Sequence, residues 1–140
     1  MSNQIVDKDI SYSVATVAPV ELFPSVVERV FDRLVSIASN DALYESGEAR
    51  PTADTIEWAL RVLLRVIPRY YLRTAEIDVF HGEIHVNWDK GNKRVVAYLP
   101  APDILKVYVE RIKADGDVEH VMHPNVKPQE LSPLLRWLYV

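Results

Sequence analysis

The stretch from Ala75 to Leu99 constrains the fold more than any other part of the chain, because its apolar residues fall on one face of three successive antiparallel strands. With His81-Gly82 as a two-residue turn, Val79 faces Ile84, Ile77 faces Val86 and Ala75 faces Trp88, while Glu76, Asp78, His85 and Asn87 take the other face. With Gly91-Asn92 as the next turn, Trp88 faces Val95, Val86 faces Ala97 and Ile84 faces Leu99. A slip of one residue would move a strand's apolar set to the opposite face, so the register is strongly specified. Asp89 then stands opposite Arg94 as a cross-strand ion pair.

Beyond the Pro100-Ala101-Pro102-Asp103 loop, Leu105, Val107 and Val109 alternate with Lys106, Tyr108 and Glu110, which predicts a fourth strand over Ile104 to Ile112. Asp115-Gly116 signals another hairpin and a fifth strand near Val118 to Met122. A simple two-residue turn there pairs Val121 with Glu110 and Val118 with Lys113, which mixes the faces and points to a bulge or a longer loop.

Helical spacing dominates elsewhere. Phe23, Val27, Val30, Phe31, Leu34, Ile37 and Ala38 predict an amphipathic helix over about Pro24 to Ser39, with Glu28, Asp32 and Arg33 on its polar side. A second helix runs from about Ala53, capped by Thr52, to Ile67, where Pro68 stops it. Its main stripe is Ile56, Ala59, Leu60, Leu63, Leu64 and Ile67, but Trp58, Val62 and Val66 form a second row. Such a helix is either central to the core or covered by a partner. Leu131, Leu134, Leu135 and Leu138 predict a short C-terminal helix carrying Trp137 and Tyr139. From Met1 to about Pro19 the chain is polar with a weak alternation at Ile10, Tyr12 and Val14, readable as an edge strand, a swapped arm or a disordered lead.

The predicted fold is α+β: a four- to five-stranded antiparallel meander with two main helices on one face and a short C-terminal helix. A single domain over residues 20–140 follows an N-terminal arm of residues 1–19. The 140 residues suffice for one core, and 49% hydrophobic with 26% charged residues is globular composition. With no cysteine there is no disulfide, thiolate metal site or cysteine nucleophile, and a cytoplasmic setting fits best. The net charge of -4 gives no polybasic surface for nucleic acid. No signal-peptide pattern or long apolar run is present, so neither secretion nor a membrane span is expected.

No stretch carries a catalytic signature that outweighs a structural explanation. The four glycines, Gly47, Gly82, Gly91 and Gly116, all sit in loops or turns and build no phosphate cradle, and no serine lies in a nucleophile elbow. Asp78 and His85, with Tyr98 opposite His85, are the best nominees for a metal-dependent hydrolase or nuclease. A divalent ion needs three or four converging donors, and a solvated Asp-His contact explains the pair equally, so neither a metal nor another cofactor is assigned. His120 and His123 precede Pro124 and read as loop residues rather than ligands.

Two surfaces remain as partner sites. The register places Phe80, Val96, Tyr98 and Tyr108 on the outward face of the sheet, where apolar groups imply cover by another part of the chain or by another molecule. Arg61, Arg65 and Arg69 recur every four residues and, with Tyr70 and Arg73, offer a basic ridge to an acidic protein or, last in rank, to nucleic acid. The run Gly-Glu-Ile-His-Val-Asn-Trp over Gly82–Trp88, behind a Pro-Thr capped helix that ends at a proline, resembles small uncharacterised bacterial proteins with a helix followed by a Gly-x-Ile-x-x-x-Trp hairpin. The resemblance covers Arg50 to Leu99 and carries no catalytic residue; it implies a compact accessory protein. The leading expectation is therefore a non-enzymatic protein-binding accessory, inhibitor or antitoxin-like module, working on a larger protein or through self-association as a homodimer.

Overall fold

Turn chemistry sets the sheet. In the computed structural model, which describes residues 18–140 and side chains from Ser25 onward, His81 and Gly82 both have positive φ, 51° and 79°. That is the backbone of a type I′ turn, whose twist matches the strands it joins. It connects β1 (Glu76–Phe80) to β2 (Glu83–Lys90). Gly91, at φ 60°, is the first turn residue before β3 (Lys93–Leu99), as a type II′ turn requires. β4 (Lys106–Ile112) and β5 (Val118–His123) complete an antiparallel meander in the order β1-β2-β3-β4-β5.

The expected pairs are present: Val79 with Ile84, Ile77 with Val86, Trp88 with Val95, Val86 with Ala97 and Ile84 with Leu99. Arg94 Nε donates to Asp89 Oδ1 at 2.8 Å. The last hairpin resolves the mixed-face problem. Lys113 N–H donates to Asp117 O at 2.7 Å and Gly116 N–H to Lys113 O at 2.9 Å, closing a three-residue loop with Gly116 at φ 90°. The longer loop shifts the register by one, so Val121 pairs with Val109 and Val118 with Ile112.

The helices are α1 (Ala18–Ser39), α2 (Ala53–Arg61), which continues into a π-helical turn at Val62–Val66, α3 (Arg69–Leu72) and α4 (Leu131–Leu138). Thr52 caps α2, its Oγ1 accepting from the Thr55 N–H at 3.1 Å. α1 packs on α2, α3 and β1, while α2 and α4 rest on β2 and β3. The fold is thus α+β with the helices on one face of the sheet. Between the layers lie the fully buried Leu34, Leu63, Ile84, Trp88, Leu99, Leu131 and Leu135. Two indoles enter this core with their N–H groups satisfied: Trp88 Nε1 donates to Tyr71 O at 2.8 Å and Trp58 Nε1 to Ile104 O at 3.0 Å.

Two helical expectations are corrected. The buried row of α1 is Val26, Val30, Leu34 and Ile37, leaving Phe31 48% exposed and Ala38 on the surface. The cause is that Arg33 turns towards β1 and Arg29 towards the end of α3: Arg33 Nε donates to Ile77 O at 2.7 Å and Arg29 to Leu72 O at 2.6 Å. The second helix is not α-helical to Ile67, because the Ile67 N–H reaches back five residues to Val62 O at 3.2 Å before the chain extends into Pro68. Of the two readings of the Trp58, Val62 and Val66 row, the core position is the one found: Trp58 and Val62 are buried within this chain and Val66 is half-buried. The N-terminal alternation at Ile10, Tyr12 and Val14 and the Phe23 side chain lie outside the described residues.

Candidate interaction surface

The sheet face opposite the helices is built by strand parity. Residues pointing away from the core line up across the strands as Glu76, Asn87, Val96, Tyr108 and Met122, flanked on one side by Asp78, His85, Tyr98 and Lys106 and on the other by Asp89, Arg94, Glu110 and His120. Val96 sits at the centre and is 6% exposed although it is no part of the helix-side core. Its cover comes from the side chains around it on the same face. The His85 ring meets Tyr98 edge-on at 4.6 Å, and Tyr108 and His120 lie 5.9 Å apart. Phe80, at the β1 end, is 56% exposed, its ring tilted against that of His81 with centroids 3.9 Å apart. The four outward residues expected from the sequence, Phe80, Val96, Tyr98 and Tyr108, therefore share one surface.

The corrected β5 register adds Val118 and Met122 to this face, together with Ile112 from β4, all substantially exposed. Sequence reasoning missed them because the loop length before β5 was open. Its signal was the requirement that Val121 meet an apolar partner, which only a three-residue loop satisfies.

Charges punctuate the same face. The Tyr108 hydroxyl donates to Glu110 Oε1 at 2.7 Å, and this bond, which ionisation would break, holds the phenol above its ordinary value. Tyr44, in the loop after α1, is also raised, chiefly by burial, and donates to Ile37 O at 2.6 Å. Both shifts have one sign for stability. A phenol whose folded value is raised stabilises the fold below the unfolded value of about 10, and that contribution is lost as pH climbs through the folded value. Thermal melts across the alkaline range should thus show stability falling above about pH 10, and Tyr44→Phe should shrink that loss.

The basic residues do not form the ridge that their spacing predicts. Arg61 lies over the Trp58 ring at 5.4 Å, whereas the π-helical turn and Pro68 break the helix between Arg65 and Arg69. Tyr70 packs edge-on against Tyr71 and Tyr139, with Arg73 5.6 Å from its ring. This aromatic group docks α4, which is further held by Lys93 Nζ, donating to Trp137 O at 3.0 Å and Val140 O at 2.8 Å. Arg61, Arg65, Arg69 and Tyr70 thus belong to the helical layer and do not join the outer sheet face.

The Asp78 and His85 pair is adjacent across β1 and β2 but does not converge on a common point. Asp78 Oδ1 faces Arg33 at 3.4 Å and His85 Nε2 faces Glu83 Oε1 at 3.1 Å. Among the described residues no group of three or more His, Asp or Glu side chains is placed to hold a metal ion. Nor is any described helix long and apolar enough to cross a membrane. Compared with known protein families, curated proteins and solved structures, the chain matches none.

Proposed function

We propose that this protein is a binding module without catalytic chemistry of its own, an accessory, inhibitor or antitoxin-like subunit that holds a larger protein on the outer face of its sheet. The observation that carries this reading is a buried Val96 with Tyr98 and Tyr108 beside it, on the face away from the helices, which also carries the exposed Phe80 at the β1 turn end and Met122 on the edge strand β5. Tyr98 and Tyr108 at the centre, with Asp78, Glu83, Asp89, Arg94 and Lys106 further out on the same face, give it the mix of aromatic and charged groups that protein-binding patches use. A cytoplasmic, bacterial setting accords with the lack of cysteine and with the hairpin resemblance.

The test is a paired capture from the native cell with tagged chains. The unaltered chain recovers a stoichiometric partner, and a folded Phe80→Glu, Tyr98→Glu double variant loses it. A partner retained by that variant but lost on substituting Arg61 and Arg65 would move the site to the helical layer and refute the reading.

A further inference from the structure

The two edges of the sheet are treated differently. On β1 the outward carbonyl of Ile77 accepts from Arg33, and Arg29 bonds the carbonyls of Leu72 and Ala75 at 2.6 and 3.4 Å. Guanidinium groups of α1 occupy these acceptors, so a further strand could dock there only by displacing them. Among the described residues β5 carries no such cover, and Val118 through Met122 are all exposed.

The hydrogen-bond phase of β5 follows from its neighbours. The Ile112 N–H donates to Asn92 O, towards β3, and the Lys113 N–H to Asp117 O, towards the last strand. Because the β4–β5 register runs without a bulge, Glu119, Val121 and His123 bond β4, and Val118, His120 and Met122 present their N–H and C=O groups to the open edge. None of these three is proline and no bulge interrupts β5; its one carboxylate, Glu119, lies on the helix side and is held by Arg111 Nε at 3.0 Å and Lys113 Nζ at 3.9 Å.

We infer that this edge pairs with the same edge of a second copy, β5 antiparallel to β5 about a two-fold axis at Val121, joining two sheets into one of ten strands. A two-fold axis normal to the sheet keeps each face on its own side, so paired residues must share parity and the axis must pass beside a residue. Centred on His120, Glu119 would meet the partner's Val121, setting a carboxylate against an apolar side chain, and His123 would fall opposite the partner's Asp117, a residue of the hairpin end before β5. Centred on Val121, Glu119 meets the partner's His123 and the reverse, and the two Val121 side chains face each other. Meanwhile His120 and the partner's Met122 exchange backbone hydrogen bonds. The match of Val121 with Val121, against a carboxylate facing valine in the first register, selects the second.

The helix side of the sheet favours the same arrangement. There Val121, 55% exposed, floors an apolar cleft of about 380 Å³ with Val109, Leu134 and Trp137. The partner's Val121 would extend that floor. The interface lies on the edge, so it is compatible with a partner on the outer face and independent of it.

Light scattering on the full chain over a wide concentration range tests the inference. The expected mass is twice the 16.0 kDa of one chain, falling to a single chain in Val121→Lys, whose circular dichroism should be unchanged. Since the chain has no cysteine, Val121→Cys should form a disulfide-linked dimer on mild oxidation. His120→Cys should not, its own copy being two residues out of register. A monomeric mass for the unaltered chain overturns the proposal, and cross-linking through His120→Cys in preference to Val121→Cys overturns the register.

Discussion

Trp88→Ala should lower the unfolding free energy by about 3–5 kcal/mol, the range for losing a large aromatic from a core. The size of the effect follows from position: Trp88 is wholly buried, at the centre of the sheet face that receives the helices, and its indole N–H bonds the Tyr71 carbonyl. Truncation leaves a cavity bordered by β2, β3 and the α3 segment, and it orphans a carbonyl. For a chain of this length the melting temperature should drop by roughly 10–20 °C. Denaturant melts would read the loss directly, and a change below about 1 kcal/mol would mean that the helix layer does not sit on this face.

The second large effect separates two neighbouring positions on α1. Leu34→Ala should cost about 2.7–5 kcal/mol, whereas Phe31→Ala should stay within about 0.5 kcal/mol. Leu34 is fully buried and Phe31 half exposed, yet periodicity alone puts both in one apolar stripe. Matched melts of the two variants measure the rotation of α1 about its axis. Equal losses would contradict the placement of Arg29 and Arg33 against the end of α3 and β1.

These two positions also show what could be read from the residues. The hairpins on either side of Trp88 were legible because His81-Gly82 and Gly91-Asn92 are short turns that accept positive φ, and alternation then leaves one register. The last hairpin was legible in part: the mixing of faces ruled out a two-residue turn at Asp115-Gly116, but the choice between a bulge and a longer loop was made by the pairing of Val121 with Val109. Helix rotation was legible only in part. Arg29 and Arg33 look like members of a solvated face, but their long side chains reach the Leu72 carbonyl at the end of α3 and the Ile77 carbonyl of β1, more than 40 residues away in sequence. The π-helical turn at Val62–Val66 has no local signature beyond the proline that follows it.

The surface was legible to the extent that the register was. Phe80, Val96, Tyr98 and Tyr108 were placed together by parity alone, and Val118 and Met122 joined them once the loop length was fixed. The arginine ridge failed for the converse reason: a four-residue interval makes a ridge only on an unbroken α-helix, and Pro68 breaks this one.

The central claim is that the outer face of the sheet holds a partner. Its most direct measurement is photocrosslinking in the native cell, with a photoreactive phenylalanine analogue placed at Tyr98 on that face or at Arg65 on the helical layer. The account predicts one discrete larger adduct from position 98 and none from position 65. An adduct from position 65 alone would contradict it.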